Sequence, residues 1–519
     1  MKRSQVVEVT IMADASGDKP LLGRRDLLKG AAAAGLVSAL EPLANAAPAA
    51  RDLIRAENEK PGTTDWLLQH TRVDPKTKYR CPWIEGYCSH TSLRAGDTLS
   101  IMVSTNPPSP FVIDISRLGY YQGKGGRHLA RLGPFKGKIQ PDPEIGTERL
   151  RECRWEPATT VTIPRSWPSG VYLGKLTAEK EKLQSYVIFI VRDDRACDYL
   201  FQCSDTTWSA YNRWPGQWSL YDDGKKQWYW GPGVQVSWDR PYGKYCQVLD
   251  APLSLGSGEF LLWEFPLAFW MEKEGYDVSY ISNVDTHADA RGLLRARGFL
   301  SVGHDEYWSV DMYRNVQAAI AAGVSVAFLS SDTCIGVTPF WPSAAKVPNR
   351  VISRIGSFGP LPKEWTKTAT EVLRLKSDYP DQGGLVGARD IWPLTGGGDW
   401  TCVKEKHWLF AGSGMKNGDS IPGLVGWEWV GDPAAIKGLE VVARGTVNSG
   451  RNKGTYTATI YPGPKGNFVF NAATIWWADG LSAPPGYQHP SAYGARPRGP
   501  DPRVHRITAC LLKRFRERG

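Results

Sequence analysis

"FLSVGHDEYWSVDM", residues 299–312, is the stretch from which the rest of the chain is read. An apolar run rises to a glycine. His304, Asp305, Glu306, Tyr307 and Trp308 follow without a break, and a helical pattern opens at Ser309. "FLSV" predicts a buried strand, and "VDMYRNVQAAIAAG" predicts a helix capped by Ser309 and closed by glycine. Downstream, "VSVAFLSS" predicts a further strand. Upstream, "YLFQCS" and "VSYIS" predict strands, "GEFLLWEFPLAFWMEKEGYD" a helix ending at Gly275, and "DARGLLRARG" a helix ending at Gly298. Strands alternating with helices make a parallel, doubly wound α/β unit. Ligands of such sheets sit beyond the carboxyl ends of the strands, where "GHDEYW" falls. Residues two apart share a side while the chain stays extended. His304 and Glu306 are therefore expected to face one pocket, with Asp305 turned away.

At 519 residues the chain is too long for one ordinary domain, so two folded units are expected. Hydrophobic residues at 42% and charged residues at 22% are values of a globular protein. The body contains no run of about 18 apolar residues, so no spanning helix is predicted there. The formal charge of +10 is scattered rather than blocked, and no nucleic-acid motif accompanies it. From about residue 64 to residue 194 the pattern is β. "DTLSIMVST", "FVIDISRLGYY", "ATTVTIP", "GVYLGKLTA" and "SYVIFIVRDD" are short, β-branched and aromatic, with Gly, Pro and Asn between them. This predicts an antiparallel β-sandwich of roughly immunoglobulin size. The expected organisation is an N-terminal segment to residue 46, a lead without strong periodicity over 47–63, a β-sandwich module over 64–194 and an α/β domain over 195–519. Residues from about 332 to 450, rich in Gly, Pro and Trp, read as loop insertions. "RVHRITACLLKRFRERG" reads as a basic amphipathic closing helix.

"GRRDLLKG", with Arg24 and Arg25, precedes the weakly apolar "AAAAGLVSAL" and the small-residue site "ANA" at residues 44–46. Together they resemble a twin-arginine export signal, which implies passage through that export machinery and a periplasmic or extracellular location. That route carries proteins already folded, often with a cofactor. The cysteines at 81, 88, 153, 197, 203, 246, 334, 402 and 510 include no C-x-x-C pair, which excludes a zinc ribbon. Cys81 and Cys88 are close enough for a local disulfide after export, whereas Cys197 and Cys203 flank an apolar strand and read as buried thiols.

The residues of "GHDEYW" admit three uses: an acid/base pair, metal ligands, or a helix cap beside a histidine that satisfies a carbonyl. The wider chain narrows them. "TTWSAYNRWPGQWSLYDD" (206–223), "VSWDRPYG" (236–243), "EFPLAFWMEKEGYDVSYISNVDTH" (264–287), "SVGHDEYWS" (301–309), "GDSIPGLVGWEW" (418–429) and "NFVFNAATIWWADGL" (467–481) occur in that order. This set resembles the N,N-dimethylformamidase large-subunit family over nearly the whole chain after residue 46. "RLGYY" and "WPSGVYLGKL" resemble the β-rich module that precedes its C-terminal domain. The resemblance implies a glutamine-amidotransferase-like α/β domain and hydrolysis of a C–N amide-type bond in a small substrate. It also implies a mononuclear iron, Fe(III), held by two tyrosines and a glutamate beside a catalytic histidine. Carried over by motif, Glu306 is the carboxylate ligand and His304 the acid/base group. Tyr211 in "AYNRW" is the first tyrosine and Tyr242 in "DRPYG" the second, with Tyr221 in "SLYDD" competing for either place. Phenolate and carboxylate oxygens are hard donors that suit Fe(III). The family's enzyme works with a small subunit, so a small partner or a homo-oligomer is implied. Asn212, Asp239, Asp285, His287 and Glu264 rank lower, each also readable as a turn, cap or ion-pair residue. A non-catalytic carbohydrate- or peptide-binding protein on the same scaffold is the alternative, suggested by the 22 tryptophans.

Overall fold

The computed structural model describes residues 52–226, 228–244, 255–489, 491 and 496–517. The export segment and Cys246 lie outside them. The first eight strands are β1 (Glu85–Cys88), β2 (Ser92–Arg94), β3 (Thr98–Ser104), β4 (Phe111–Leu118), β5 (Gly126–Phe135), β6 (Pro157–Thr162), β7 (Gly170–Ala178) and β8 (Gln184–Arg192). They form two sheets, of order β1-β3-β6 and β2-β8-β7-β4-β5. Inward residues of both sheets, among them Ile101, Val103, Ile113, Leu176, Val187 and Phe189, share one buried core. The pairing is antiparallel except that β2 runs parallel to β8. The lead is not featureless. Leu53–Asn58 is a helix whose Glu57 and Asn58 are buried.

Strands β9 (Cys197–Cys203), β10 (Gln235–Ser237), β11 (Val278–Ser282), β12 (Ala296–His304), β13 (Tyr307–Trp308) and β14 (Ser325–Ser331) follow. The main sheet has nine strands. Its parallel half runs β11-β9-β12-β14 and ends on Phe468–Asn471. Successive residues of β12 serve opposite faces: Leu300 and Val302 join one core with the helices Phe265–Lys273 and Pro502–Arg516, while Phe299 joins another with Val310–Ala322. Helices thus cover both faces, as the alternating pattern predicts. Ser309 caps the last of these helices, its Oγ accepting from Met312 N at 3.0 Å, and Gly323 closes it at φ 109°.

Two expectations are corrected. "DARGLLRARG" holds only the 3₁₀ turn Gly292–Arg295, and Gly298 already lies within β12, paired with Tyr199 and Ser325. Residues 332–450 are not only insertions. Gly396–Thr401, Ser420–Trp427 and Glu440–Ser449 join Asn452–Pro462 as the antiparallel half of the main sheet. The glycines at 396–398 hide this strand because they carry no side chains to alternate. They suit a close approach: a Cβ on Gly398 would stand 2.4 Å from Thr446 O.

The β-rich part and the main sheet are joined by a buried ion pair. Arg117 of β4 meets Glu272 of helix Phe265–Lys273 at 2.8 and 3.0 Å, and both side chains are 0% exposed. Asn58, Tyr121, Tyr280 and Ser169 O satisfy the remaining polar atoms of the pair. A buried ion pair is tolerated in the interior because its remaining polar atoms are satisfied in this way. Cys81 and Cys88 are free, buried thiols, so the expected local disulfide is absent. Burial pushes both thiols up to about 12.

Candidate functional site

Three strand ends converge on one place. After β9, Ser204 leads into helix Asp205–Tyr211, which carries Tyr211 at its last turn. At the end of β12 the backbone passes through Gly303 at φ 71°, where a Cβ would stand 2.6 Å from Trp263 Cβ, so only glycine fits. The helix is laced to the strand end: Glu306 N donates to Thr207 Oγ1 at 3.0 Å, and Thr206 Oγ1 donates to Tyr307 O at 2.7 Å. Asp305 faces away, as expected. Its carboxylate accepts from Gln202 at 2.6 Å, Ser301 at 2.7 Å and Asn283 at 3.0 Å, which fixes the loop from behind.

On the other side His304 and Glu306 meet, with Nε2 3.3 Å from Glu306 Oε2. The Tyr211 hydroxyl donates to Glu306 Oε2 at 2.6 Å. The Tyr221 hydroxyl stands 2.6 Å from that of Tyr211 and 2.9 and 3.0 Å from the two Glu306 oxygens. Tyr221 reaches this point because Asp222 closes a turn onto Ser219, accepting from its N at 3.0 Å and from its Oγ at 2.7 Å. Tyr242, the second tyrosine named from sequence, makes no hydrogen bond with this group. It lies edge-on to Trp208 at 6.4 Å, and its buried hydroxyl has no hydrogen-bond partner among the described residues. The geometry therefore brings Tyr211, Tyr221 and Glu306 together and leaves Tyr242 apart.

Residues that sequence reasoning did not single out complete the cluster. Glu428, beyond the end of strand Ser420–Trp427, lies 3.0 Å from His304 Nε2, and Glu259 lies 3.7 Å from Nδ1. Burial opposes a charged imidazole, but Glu428, Glu259 and Glu306 together hold His304 well above the usual histidine range. Burial likewise pushes Glu428 and Glu259 up to about 7. It also pushes Glu306 upward, but His304 and the two phenols overcome it and hold that carboxyl below its usual range. Asp332, after β14, and Asp390 are buried acids of the same region, raised by burial. The one local sign of Glu428 is an acid set between aromatics in "GWEWV".

The lower-ranked residues have structural duties. Asn212 bonds to Pro241 O at 2.9 Å and accepts from Gly243 N at 3.0 Å. Asp239 pairs with Arg350 at 2.6 Å, and Asp285 caps its own helix from within a capping box with Ser282. His287 Nδ1 lies 2.8 Å from Ser309 Oγ, and Glu264 accepts from Trp208 Nε1 at 2.7 Å.

The oxygens of Tyr211, Tyr221 and Glu306 lie 2.6–3.0 Å apart in one compact, buried cluster. Among the described residues no three His, Cys, Asp or Glu side chains form a metal-holding group, so a metal here would need the phenols as donors. Two phenols and a carboxylate are a hard oxygen set, which fits Fe(III). Residues 112–491 match the family described as N,N-dimethylformamidase beta subunit-like, C-terminal, and the chain belongs to that family. No curated protein matches the chain.

Proposed function

We infer that this member of the N,N-dimethylformamidase beta subunit-like family is an exported hydrolase of C–N amide-type bonds. The observation that carries the reading is the mutual approach of Tyr211, Tyr221 and Glu306 at 2.6–3.0 Å, with His304 beside them. These three side chains would hold a mononuclear iron, with Tyr221, the competing candidate of the sequence, in the second tyrosine place instead of Tyr242. Bound iron would supply Lewis acidity toward an amide carbonyl.

The chain's own residues divide the remaining work. His304 has a carboxylate beside each ring nitrogen, Glu428 at 3.0 Å from Nε2 and Glu259 at 3.7 Å from Nδ1. Glu428, pushed up to about 7 by burial, and His304, held well above its usual range by the surrounding carboxylates, form an acid/base pair. One proton of the attacking water passes to this pair as oxygen bonds to the carbonyl carbon. The same pair returns a proton to the nitrogen as the C–N bond breaks, leaving acid and amine. Trp427, whose ring lies 5.1 Å from that of His304, and the stacked Tyr211 and Tyr221 rings, 4.5 Å apart, limit water around the reacting atoms.

At larger scale the reading includes a β-sandwich module to about residue 194 and a glutamine-amidotransferase-like domain beyond it. A small partner subunit or like copies would complete the assembly, and the twin-arginine segment would direct export. The test separates ligand from acid/base group. Glu306→Ala is expected to lose iron, and His304→Ala to keep iron and lose turnover. Iron per chain, melting temperature and amide hydrolysis are measured on both. Equal iron retention by the two variants would remove Glu306 from the ligand set.

A further inference from the structure

Both phenols meet Glu306, and Tyr211 also has the Tyr221 hydroxyl 2.6 Å away and the ring of His304 at 5.1 Å. Tyr221 has a second line of support behind it. The Tyr307 hydroxyl lies 2.7 Å from that of Tyr221, and Arg354 Nη1 lies 2.6 Å from Tyr307. The guanidinium of Arg354 is buried, with its carbon 5.0 Å from the centre of the Tyr221 ring and 4.5 Å from that of Trp230. Its Nη2 donates to Tyr229 O at 2.8 Å and to Leu220 O at 3.0 Å. Leu220 immediately precedes Tyr221, so the same side chain grips the backbone that carries the phenol.

The direction of this chain is fixed by donor chemistry. A guanidinium only donates, so Tyr307 must accept from Arg354. Tyr307 has one hydroxyl hydrogen, and that hydrogen is then left to point onward to the Tyr221 oxygen. Hydrogen bonds in such a series polarise one another, and the charged end strengthens the rest. Among the described residues the hydrogen bonds of Arg354 go to a phenol and to carbonyls, none to a carboxylate. The arrangement suits an electron-rich oxygen at Tyr221.

We propose that Arg354 and Tyr307 are positioning residues that aim a hydrogen bond at the Tyr221 oxygen and so weaken its electron donation toward a bound iron. This rests on the reading of Tyr211, Tyr221 and Glu306 as the iron-holding set. Outer hydrogen bonds of this kind tune a metal through its ligand. A hydrogen bond to a ligating phenolate lowers the energy of its electrons, so its loss moves the phenolate-to-iron absorption to longer wavelength.

The experiment records the visible spectrum, iron per chain and melting temperature of the full chain, wild type beside Tyr307→Phe and Arg354→Lys. Tyr307→Phe keeps the ring and removes only the hydroxyl. Its absorption band is expected at longer wavelength than that of the wild type, at matched iron per chain. Arg354→Lys keeps a charge but loses the fork, and is expected to move the band the same way by less. An unmoved band in Tyr307→Phe with full iron overturns the inference and leaves the iron reading standing. A wild type that takes up no iron and has no visible band overturns the iron reading and this inference with it. Should Tyr307→Phe lose its iron, Arg354→Lys decides: a shifted band supports the proposal, and an unmoved one overturns it.

Discussion

Glu428 and His304 come from opposite halves of the main sheet and stand 3.0 Å apart, which makes Glu428 the sharpest single-residue test of the acid/base pair. Glu428→Gln keeps the shape and one acceptor oxygen but cannot carry the proton. We expect iron per chain to stay at the wild-type level and amide turnover to fall by about 10²–10⁴-fold, read by steady-state kinetics beside metal analysis. A second test concerns Asp205, at the start of the helix that carries Tyr211. Burial first, and then Asp285, push its carboxyl from 3.8 up to about 8, although Asn283 N donates to it at 2.7 Å. A raised carboxyl means that the folded chain holds a proton the unfolded chain has released. Its contribution is therefore complete below 3.8 and is lost as pH rises toward about 8. Asp205→Asn removes that slope and keeps an acceptor for Asn283. Its melting temperature is expected to gain on the wild type as pH rises from 4 to 8, followed by thermal denaturation across that range. Among site residues, His304 and Glu306 are legible from sequence because they share a short motif at a strand end. Asp305 is legible too, since the alternation of an extended chain turns it away. Glu428, Glu259, Asp332 and Asp390 are not, because each comes from a different segment and only the order of the strands brings them near. That Tyr221 and not Tyr242 meets Glu306 follows from a turn closed by Asp222, a side-chain bond that no periodicity announces.

At the scale of elements, Gly303 and the Arg117–Glu272 pair make separate predictions. Gly303→Ala places a methyl against Trp263 in a conformation that L-residues avoid, φ 71°. A loss of about 1–3 kcal/mol is expected, measured by denaturant unfolding, with iron per chain falling alongside because His304 and Glu306 follow directly. Glu272→Ala strands Arg117 in the interior and is expected to cost about 3–5 kcal/mol. Replacing both, as Arg117→Met with Glu272→Leu, should recover most of that loss. A double variant as unstable as the single one would mean that the loss does not come from an unpaired buried charge. Most strands and the helices Phe265–Lys273, Val310–Ala322 and Pro502–Arg516 are legible because apolar spacing, a cap or a closing glycine marks them. The antiparallel half of the main sheet is not. In Gly396–Thr401 three glycines erase the alternation, and the partners of that strand are set by long-range pairing.

For the molecule as a whole, the export reading predicts that replacing Arg24 and Arg25 with lysines retains the protein inside the cell. Cell fractionation with immunodetection checks it, and undiminished export by the double-lysine chain would remove the twin-arginine assignment. The main sheet carries a further consequence for how the protein is made. Among the described residues its two halves pair through Phe468–Asn471, which joins β14 on one side and Asn452–Pro462 on the other. Until that strand has left the ribosome, a nascent chain displays β14 with a bare edge, and the antiparallel half has nothing to join. Such edges invite pairing with other chains. Synthesis therefore has to run past residue 471 before the two halves can join, and a chain that ends between residues 462 and 468 carries both halves of the sheet with nothing to link them.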